Sequence, residues 1–320
     1  MTAPRRIVSL LPSSTEICFA LGLGDAVVGV SHECDFPAEV LGRPVLTAPK
    51  VDPGATSAEI DRQVNALVAA GESVYRLNEA RLGALAPDLV LTQGVCEVCA
   101  VSFDEVRDSV RRAAPRAEIL SLSPATLDDV LGDVARVGDA AGVPDVGARV
   151  VESLRARLDR LRAETAALPR PRVLLLEWLS PPFIGSHWAP EILRVAGGEP
   201  VLGRDAVPSV PERWERIVEA APEVVLVAPC GFRVEQALRE MEALLRHPAF
   251  ASLPAVQRGR LVVIDGSAYF NRPGPRLVDS AEIAATAIHP ERFRGRFSFG
   301  SGDMVPWPAR AATPASARGG

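Results

Sequence analysis

Short apolar runs alternate along this chain with longer segments whose apolar positions recur every three or four residues. The runs predict strands at Arg6–Leu11, Val27–Val30, Leu89–Leu91, Arg172–Glu177, Val224–Ala228 and Leu261–Ile264. The longer segments predict helices at Ser57–Ala69, Asn78–Leu85, Ala189–Val195, Pro211–Ala220 and Val234–Arg246, with a last helix from Pro275 to Ile288. Another helix starts at Ser13, where Ser13 and Glu16 have the spacing of a capping box, and Gly22 and Gly24 end it. Ser102 and Glu105 repeat that spacing after the loop 92–101. Strands that alternate with helices call for parallel sheets.

The pattern is duplicated. Arg6-Ile-Val-Ser-Leu-Leu11 leads to Thr15-Glu16-Ile17 and then Gly22, while Arg172-Val-Leu-Leu-Leu176 leads to Pro190-Glu191-Ile192 and then Gly197. Leu82–Leu91 (LGALAPDLVL) is matched by Ile217–Leu226 (IVEAAPEVVL), each copy a helix end, a proline-acid corner and an apolar strand. Each strand runs out into a cysteine, Cys96 in one half and Cys230 in the other. Two similar α/β lobes follow, and since ligands of open α/β sheets bind beyond the carboxyl ends of the strands, the groove between the lobes is the expected site.

Between the halves, Asp145 to Leu168 has no proline, and no glycine after Gly147, with apolar residues at Val150, Val151, Leu154, Leu158 and Leu161. At 1.5 Å per residue this is a helix of roughly 35 Å, long enough to run the height of a lobe. The chain therefore reads as an α/β protein of two Rossmann-like parallel-sheet lobes joined by a single long backbone helix. The lobes are residues 1–143 and 170–290, the connector is 144–169, and 291–320, rich in Arg, Gly, Pro and Ala, is a mostly disordered tail. A hydrophobic fraction of 48% and a net charge of −5, with no basic block, leave no footprint for nucleic acid. No apolar run reaches the roughly 18 residues that a membrane span needs. The first residues lack the apolar stretch of an export signal, which points to a cytoplasmic protein whose five cysteines are thiols or metal ligands rather than disulfides.

Arg6-Ile-Val-Ser-Leu-Leu-Pro-Ser-Ser-Thr-Glu, Gly29-Val-Ser, Asp35-Phe-Pro, Pro87-Asp-Leu-Val-Leu, Ser180-Pro-Pro-Phe183, Ala196-Gly-Gly198 and Ser267-Ala-Tyr-Phe-Asn-Arg-Pro-Gly-Pro275 occur in an order that resembles the helical-backbone substrate-binding proteins for cobalamin and iron chelates. The similarity runs from about Arg6 to Ile288. It implies a periplasmic-binding-protein-like fold, no catalysis, and a small-molecule metal chelate, a corrinoid foremost, held by loops around His32, Tyr75, Gln93, Phe183 and Tyr269. The resemblance also marks departures. Where cobalamin-binding members present one surface glutamate per lobe to an ABC permease, this chain has Ala80 and Asn271, which argues against docking to one. Tyr75, Gln93 and Tyr269 stand where tryptophans stack on the corrin.

Cys34, Cys96, Cys99 and Cys230, with His32 and His187, fall on loops that the duplication and the resemblance place at the cleft. Thiolate and imidazole suit zinc, an iron–sulfur cluster, copper(I) or a corrinoid cobalt. Four converging sulfurs could hold a metal directly, as a sensor, carrier or enzyme would, and this is the alternative to chelate binding. Cys96-x-x-Cys99 also admits a dithiol redox reading, against which the thiols lie in the loop ahead of the Ser102 cap rather than at the helix start. Packing in a loop base is the ordinary role for each cysteine, Cys18 above all. Trp188 and Tyr269 could stack on a flat ligand or pack across the lobe interface, and His247 and His289 are structural.

Overall fold

The computed structural model describes residues 5–94, 103–300 and 302–307. In the N-terminal lobe the order is β1 (Ile7–Ser9), α1 (Pro12–Ala20), β2 (Val27–Val30), β3 (Thr47–Pro49), α2 (Ser57–Ala69), β4 (Tyr75–Leu77), α3 (Glu79–Leu85), β5 (Leu89–Gln93), α4 (Phe103–Ala113), β6 (Glu118–Leu122) and α5 (Leu127–Ala140). Helix α6 (Pro144–Thr165) follows. The C-terminal lobe contains β7 (Arg172–Leu179), β8 (Pro182–Ile184), α7 (Ala189–Val195), β9 (Glu199–Pro200), α8 (Trp214–Glu219), β10 (Val224–Val227), α9 (Val234–Arg246), α10 (Pro248–Ala251), α11 (Pro254–Gln257), β11 (Leu261–Ile264), α12 (Leu277–Ile288), α13 (Pro290–Phe293) and β12 (Met304–Trp307).

Both sheets have parallel centres. The first runs β2-β1-β5-β6, all parallel, and β3 pairs with β4 apart from it. The second runs β12-β11-β10-β7-β8, with β11, β10 and β7 parallel and the edge strands β8 and β12 antiparallel. The duplicated corner recurs atom for atom. In the first lobe the Asp88 carboxylate accepts from the Arg6 amide at 2.8 Å, and the Arg6 guanidinium returns two bonds to the Leu85 carbonyl at 2.9 and 2.8 Å. In the second, Glu223 accepts from the Arg172 amide at 2.9 Å, and Arg172 donates twice to the Ala220 carbonyl at 2.8 and 2.6 Å. The residues between, Ala86 and Ala221, both take a left-handed φ of 41°. An acid after proline thus ties the start of each first strand to the helix preceding its neighbour.

Helix α6 buries Leu154, Leu158 and Leu161, one face at helical spacing, against a core that both lobes share. Ile17, Val134, Ile192 and Ile283 join the same cluster from α1, α5, α7 and α12. Arg157 fastens the connector to α12 through Asp279 at 2.6 Å and Glu282 at 2.7 Å. The lobes are therefore fused along their helical side, and only the opposite, loop-bearing side is left to receive a ligand.

Three expectations are corrected. Ser13 does not cap α1: the N-cap is Leu11 without a side-chain bond, Pro12 occupies the first turn, and Glu16 points across the lobe boundary instead. Residues 211–213 do not begin α8, because Pro211 bridges to Phe183 of β8 and holds that stretch extended. The segment after His289, expected to be disordered, is structured in its described residues, 290–300 and 302–307. Phe293 is fully buried there, Phe297 and Phe299 pack on the shared core, and β12 adds an edge to the second sheet. Its aromatic residues supply the apolar anchors that the abundance of Arg and Gly concealed.

Candidate ligand-binding cleft

The loops leaving the carboxyl ends of β2 and β11 face each other and are tied by ions. Arg272 donates from Nη1 to Asp35 at 2.7 Å and to Glu16 at 3.3 Å, and from Nη2 to the Glu33 carbonyl at 3.3 Å and to Ser267 at 3.1 Å. Arg276 grips Glu16 with two bonds of 2.9 and 2.5 Å and lies over the Phe36 ring at 4.0 Å. Arg233, after β10, reaches Asp35 at 2.9 Å. The Glu16 side chain is only 2% exposed. Of the residues that span the cleft, Glu16 was read from sequence as half of a capping box, and the arginines were given no role. The available signals were a carboxylate that is the one charged residue of α1 and two arginines four residues apart in a loop with no acid of its own after Asp265.

On the first lobe, His32 and Tyr75 stand together, ring centroids 5.1 Å apart. The His32 amide and Nδ1 both meet the Thr47 hydroxyl, at 3.0 and 2.7 Å, and burial lowers the imidazole pKa. The Tyr75 hydroxyl donates to Glu33 at 3.1 Å. Burial raises the Glu33 carboxyl above its ordinary range against the opposing pull of Tyr75 and Arg272. Gln93, half-buried, ends β5 in register with Leu122 of β6. On one flank α2 crosses to the second lobe, where Ser57 donates from its amide to Glu240 at 2.6 Å and Gln236 donates to the Pro53 carbonyl at 2.9 Å.

On the second lobe, Phe183 is half-buried on β8. Glu177, near the end of β7, accepts from the Ser209 hydroxyl at 2.9 Å, and burial pushes its carboxyl up to about 7. His187 takes a left-handed φ of 54° and stacks on Trp188 at 5.3 Å; its Nε2 is buried without a hydrogen-bond partner among the described residues. Trp188 donates to the Phe270 carbonyl at 2.7 Å and packs on the shared core. Tyr269, 8% exposed, donates to Asp303 at 2.9 Å. His32 and Tyr75 are therefore brought together, as are His187 and Trp188, whereas Tyr269 lies in the core between the lobes and half-buried Trp188 packs against it.

Cys34 is 8% exposed, its sulfur 3.1 Å from the Thr15 hydroxyl and 3.2 Å from that of Ser31. Burial raises its pKa, and burial together with the Cys34 charge pushes Cys18 up to about 12. Both are thiols rather than thiolates at neutral pH, and the thiolate is the metal-binding form. Cys230 is exposed, its amide donating to the Glu177 carbonyl at 2.9 Å. Cys96, Cys99 and the Ser102–Glu105 cap lie outside the described residues or their described side chains. Among the described residues no three His, Cys, Asp or Glu side chains group so as to hold a metal ion. No described helix is long and apolar enough to cross a membrane.

Asn271, at the position of an expected docking acid, turns its amide inward, donating to the carbonyls of Ala228 and Gly266 at 2.9 Å each. It pins the loops after β10 and β11 where they are closest: a Cβ on Gly266 would lie 2.0 Å from the Pro229 oxygen. Asn271→Ala, leaving two carbonyls without that donor, is expected to cost about 1–3 kcal/mol. A thermal midpoint equal to that of the parent would contradict this role.

A family model described as periplasmic binding protein matches residues 7–268. The vitamin B12-binding protein of Vibrio cholerae is 24% identical over 286 residues, covering 88% of each chain. An uncharacterized ABC transporter substrate-binding lipoprotein of Bacillus subtilis is 26% identical over 299 residues, covering 91% of this chain and 82% of its own. Among solved structures, a periplasmic heme-binding protein from Pseudomonas aeruginosa superposes with a TM-score of 0.68 at 23% identity, covering 91% of this chain and 94% of that one. These matches overturn the cytoplasmic expectation. The family is that of periplasmic proteins, and the relatives are periplasmic or lipoproteins, which act outside the cytoplasm.

Proposed function

The chain belongs to the periplasmic binding protein family, and from that premise we propose that it is a non-enzymatic receptor for a metal chelate, a cobalamin or other corrinoid first and a haem or iron chelate second. The observation that carries the reading is the opposition of two sheets with parallel centres whose carboxyl-end loops meet at the lobe boundary through Arg272 and Asp35, the position where α/β sheets bind ligands. The His32–Tyr75 pair on one lobe and Phe183 on the other supply aromatic surface suited to a flat macrocycle. Delivery to an ABC permease belongs to the same reading and is supported by the substrate-binding lipoprotein relative. With Ala80 exposed and Asn271 turned inward, docking would rest on other surface residues.

Titration with cyanocobalamin, haemin and a ferric catecholate, followed by tryptophan fluorescence and the visible spectrum, tests the proposal. One chelate should bind with a dissociation constant of about 1 µM or tighter. Failure of all three would refute it. Zinc or iron retained stoichiometrically by protein purified without oxygen, in place of chelate binding, would favour a metal held by the cysteines.

A further inference from the structure

Two parts of the first lobe reach across to the second. One is the ion network of Glu16 and Asp35 with Arg272 and Arg276, in which the Glu16 and Arg272 side chains are 2% and 9% exposed. The other is the excursion 51–73, which carries α2. It leaves after β3 and returns at β4, pinched at its base where the Lys50 amide donates to the Val74 carbonyl at 2.8 Å and Lys50 pairs with Glu72 at 3.3 Å. Tyr75 follows directly. Among the described residues, every hydrogen bond that 51–73 makes is internal, at that base, or to α9 of the second lobe. There the Glu240 carboxylate accepts from the Ser57 amide at 2.6 Å and from the Ser57 hydroxyl, and Gln236 donates to the carbonyls of Pro53 and Ala55 at 2.9 and 3.5 Å. Half-buried Ile60 packs on a core cluster of the second lobe, and α2 lies against β7.

We infer that 51–73 is a lid, latched shut in this structure by α9, that swings on Lys50 and Val74 to open the groove. What it admits rests on the chelate reading. Binding sites enclose most of a ligand's surface, so a groove crossed from lobe to lobe has to release a crossing before a rigid macrocycle enters. The two crossings differ in what release costs. Parting the ion network would strand charges that have almost no access to water. In the excursion, by contrast, Ser57 is the one buried residue of α2, Val68 is 42% exposed, and water can replace the bonds to α9. Its hydrogen bonds to the first lobe are confined to the base, so it moves without breaking the sheet β2-β1-β5-β6. Tyr75, paired with His32, stands next to the hinge, so a ligand against that pair bears on the base of the lid.

The Gln236→Ala/Glu240→Ala double variant removes the latch and leaves the buried residues of α9, Val234, Ala237, Met241 and Leu244, in place. Released from α9, a helix of 13 residues is marginal in water, so opening shows as lost amide protection. Without ligand, hydrogen exchange of 57–69 read by mass spectrometry should run at least about ten-fold faster in the variant, with 277–288 unchanged. Cyanocobalamin mixed rapidly with each protein and followed by tryptophan fluorescence should associate and dissociate at least about three-fold faster in the variant. Glu240→Gln, which keeps an acceptor oxygen without the charge, should fall between the two. Unchanged exchange at 57–69 would show that α9 does not hold the helix, and faster exchange with an unchanged association rate would make 51–73 a fixed rim; either result overturns the inference while leaving chelate binding intact. If neither cyanocobalamin nor haemin binds, the chelate reading fails, and the exchange comparison still decides whether the lid opens.

Discussion

Replacing Glu16 by glutamine is expected to destabilise the protein by about 3–5 kcal/mol, because it strips the shared counter-charge from two arginines that have almost no access to water. The Glu16 side chain is 2% exposed, Arg272 9% and Arg276 12%. Asp35 still serves Arg272 after the substitution, but among the described residues Arg276 keeps the Phe36 and Tyr269 rings, at 4.0 and 5.5 Å, and the charge of an Asp35 already paired with Arg272, with no salt bridge of its own. The charge also joins the lobes on the cleft side, opposite the shared core, so its loss should show in unfolding midpoints and in faster proteolysis of the loop 265–276. Arg155→Ala, which removes an exposed pair with Asp128, is the control and should cost no more than about 1 kcal/mol. A Glu16→Gln midpoint no lower than that control would show that the inter-lobe network adds nothing to stability.

Where the sequence was legible, local chemistry and tertiary structure agreed. The ends of β2, α2, α7, α9 and β11 were read to the residue, because each is an apolar run or an amphipathic stretch bounded by its own turn residues. The duplication was legible because its proline-acid corner is a local device, the carboxylate bonding an amide across one strand pairing. Short edge strands were not. Strands β3, β4, β8 and β9 have two or three residues each and exist only because a neighbour pairs with them. Glu16 was misread because a local cap and a long-range ion pair use the same residue type, and only the second depends on an arginine 260 positions away. Tyr269 and Trp188 look alike to a sequence reader whether they face a ligand or a core. In the structure Tyr269 joins the shared core and half-buried Trp188 packs against it, the hydroxyl of one bonding Asp303 and the indole N–H of the other the Phe270 carbonyl. The compartment was illegible for a different reason: it was inferred from the first few residues, whereas the family match draws on the whole fold.

Glu177→Gln is expected to stabilise the protein by up to about 3 kcal/mol at pH 8 and to change little at pH 4. Glu177 stands near the carboxyl end of β7, between β10 and β8, with the Ser209 hydroxyl and the Ser186 amide as its polar partners and no salt bridge among the described residues. Burial therefore dominates and raises the carboxyl from 4.5 to about 7. A carboxyl raised in the folded state favours folding only while it is protonated. Its contribution is complete below about pH 4.5 and is lost as the pH climbs through about 7, where the folded protein must hold a buried charge that the unfolded chain exposes freely. Glutamine keeps the shape and one acceptor for Ser209 but never ionises, so the variant should gain on the parent through that window and hold the gain above it. Thermal midpoints measured at intervals from pH 4 to pH 8 read the difference directly. A gap that is constant across the series would mean that Glu177 titrates in the folded protein as it does in the unfolded chain, and a variant less stable at pH 8 would mean that the carboxylate is held by a cation.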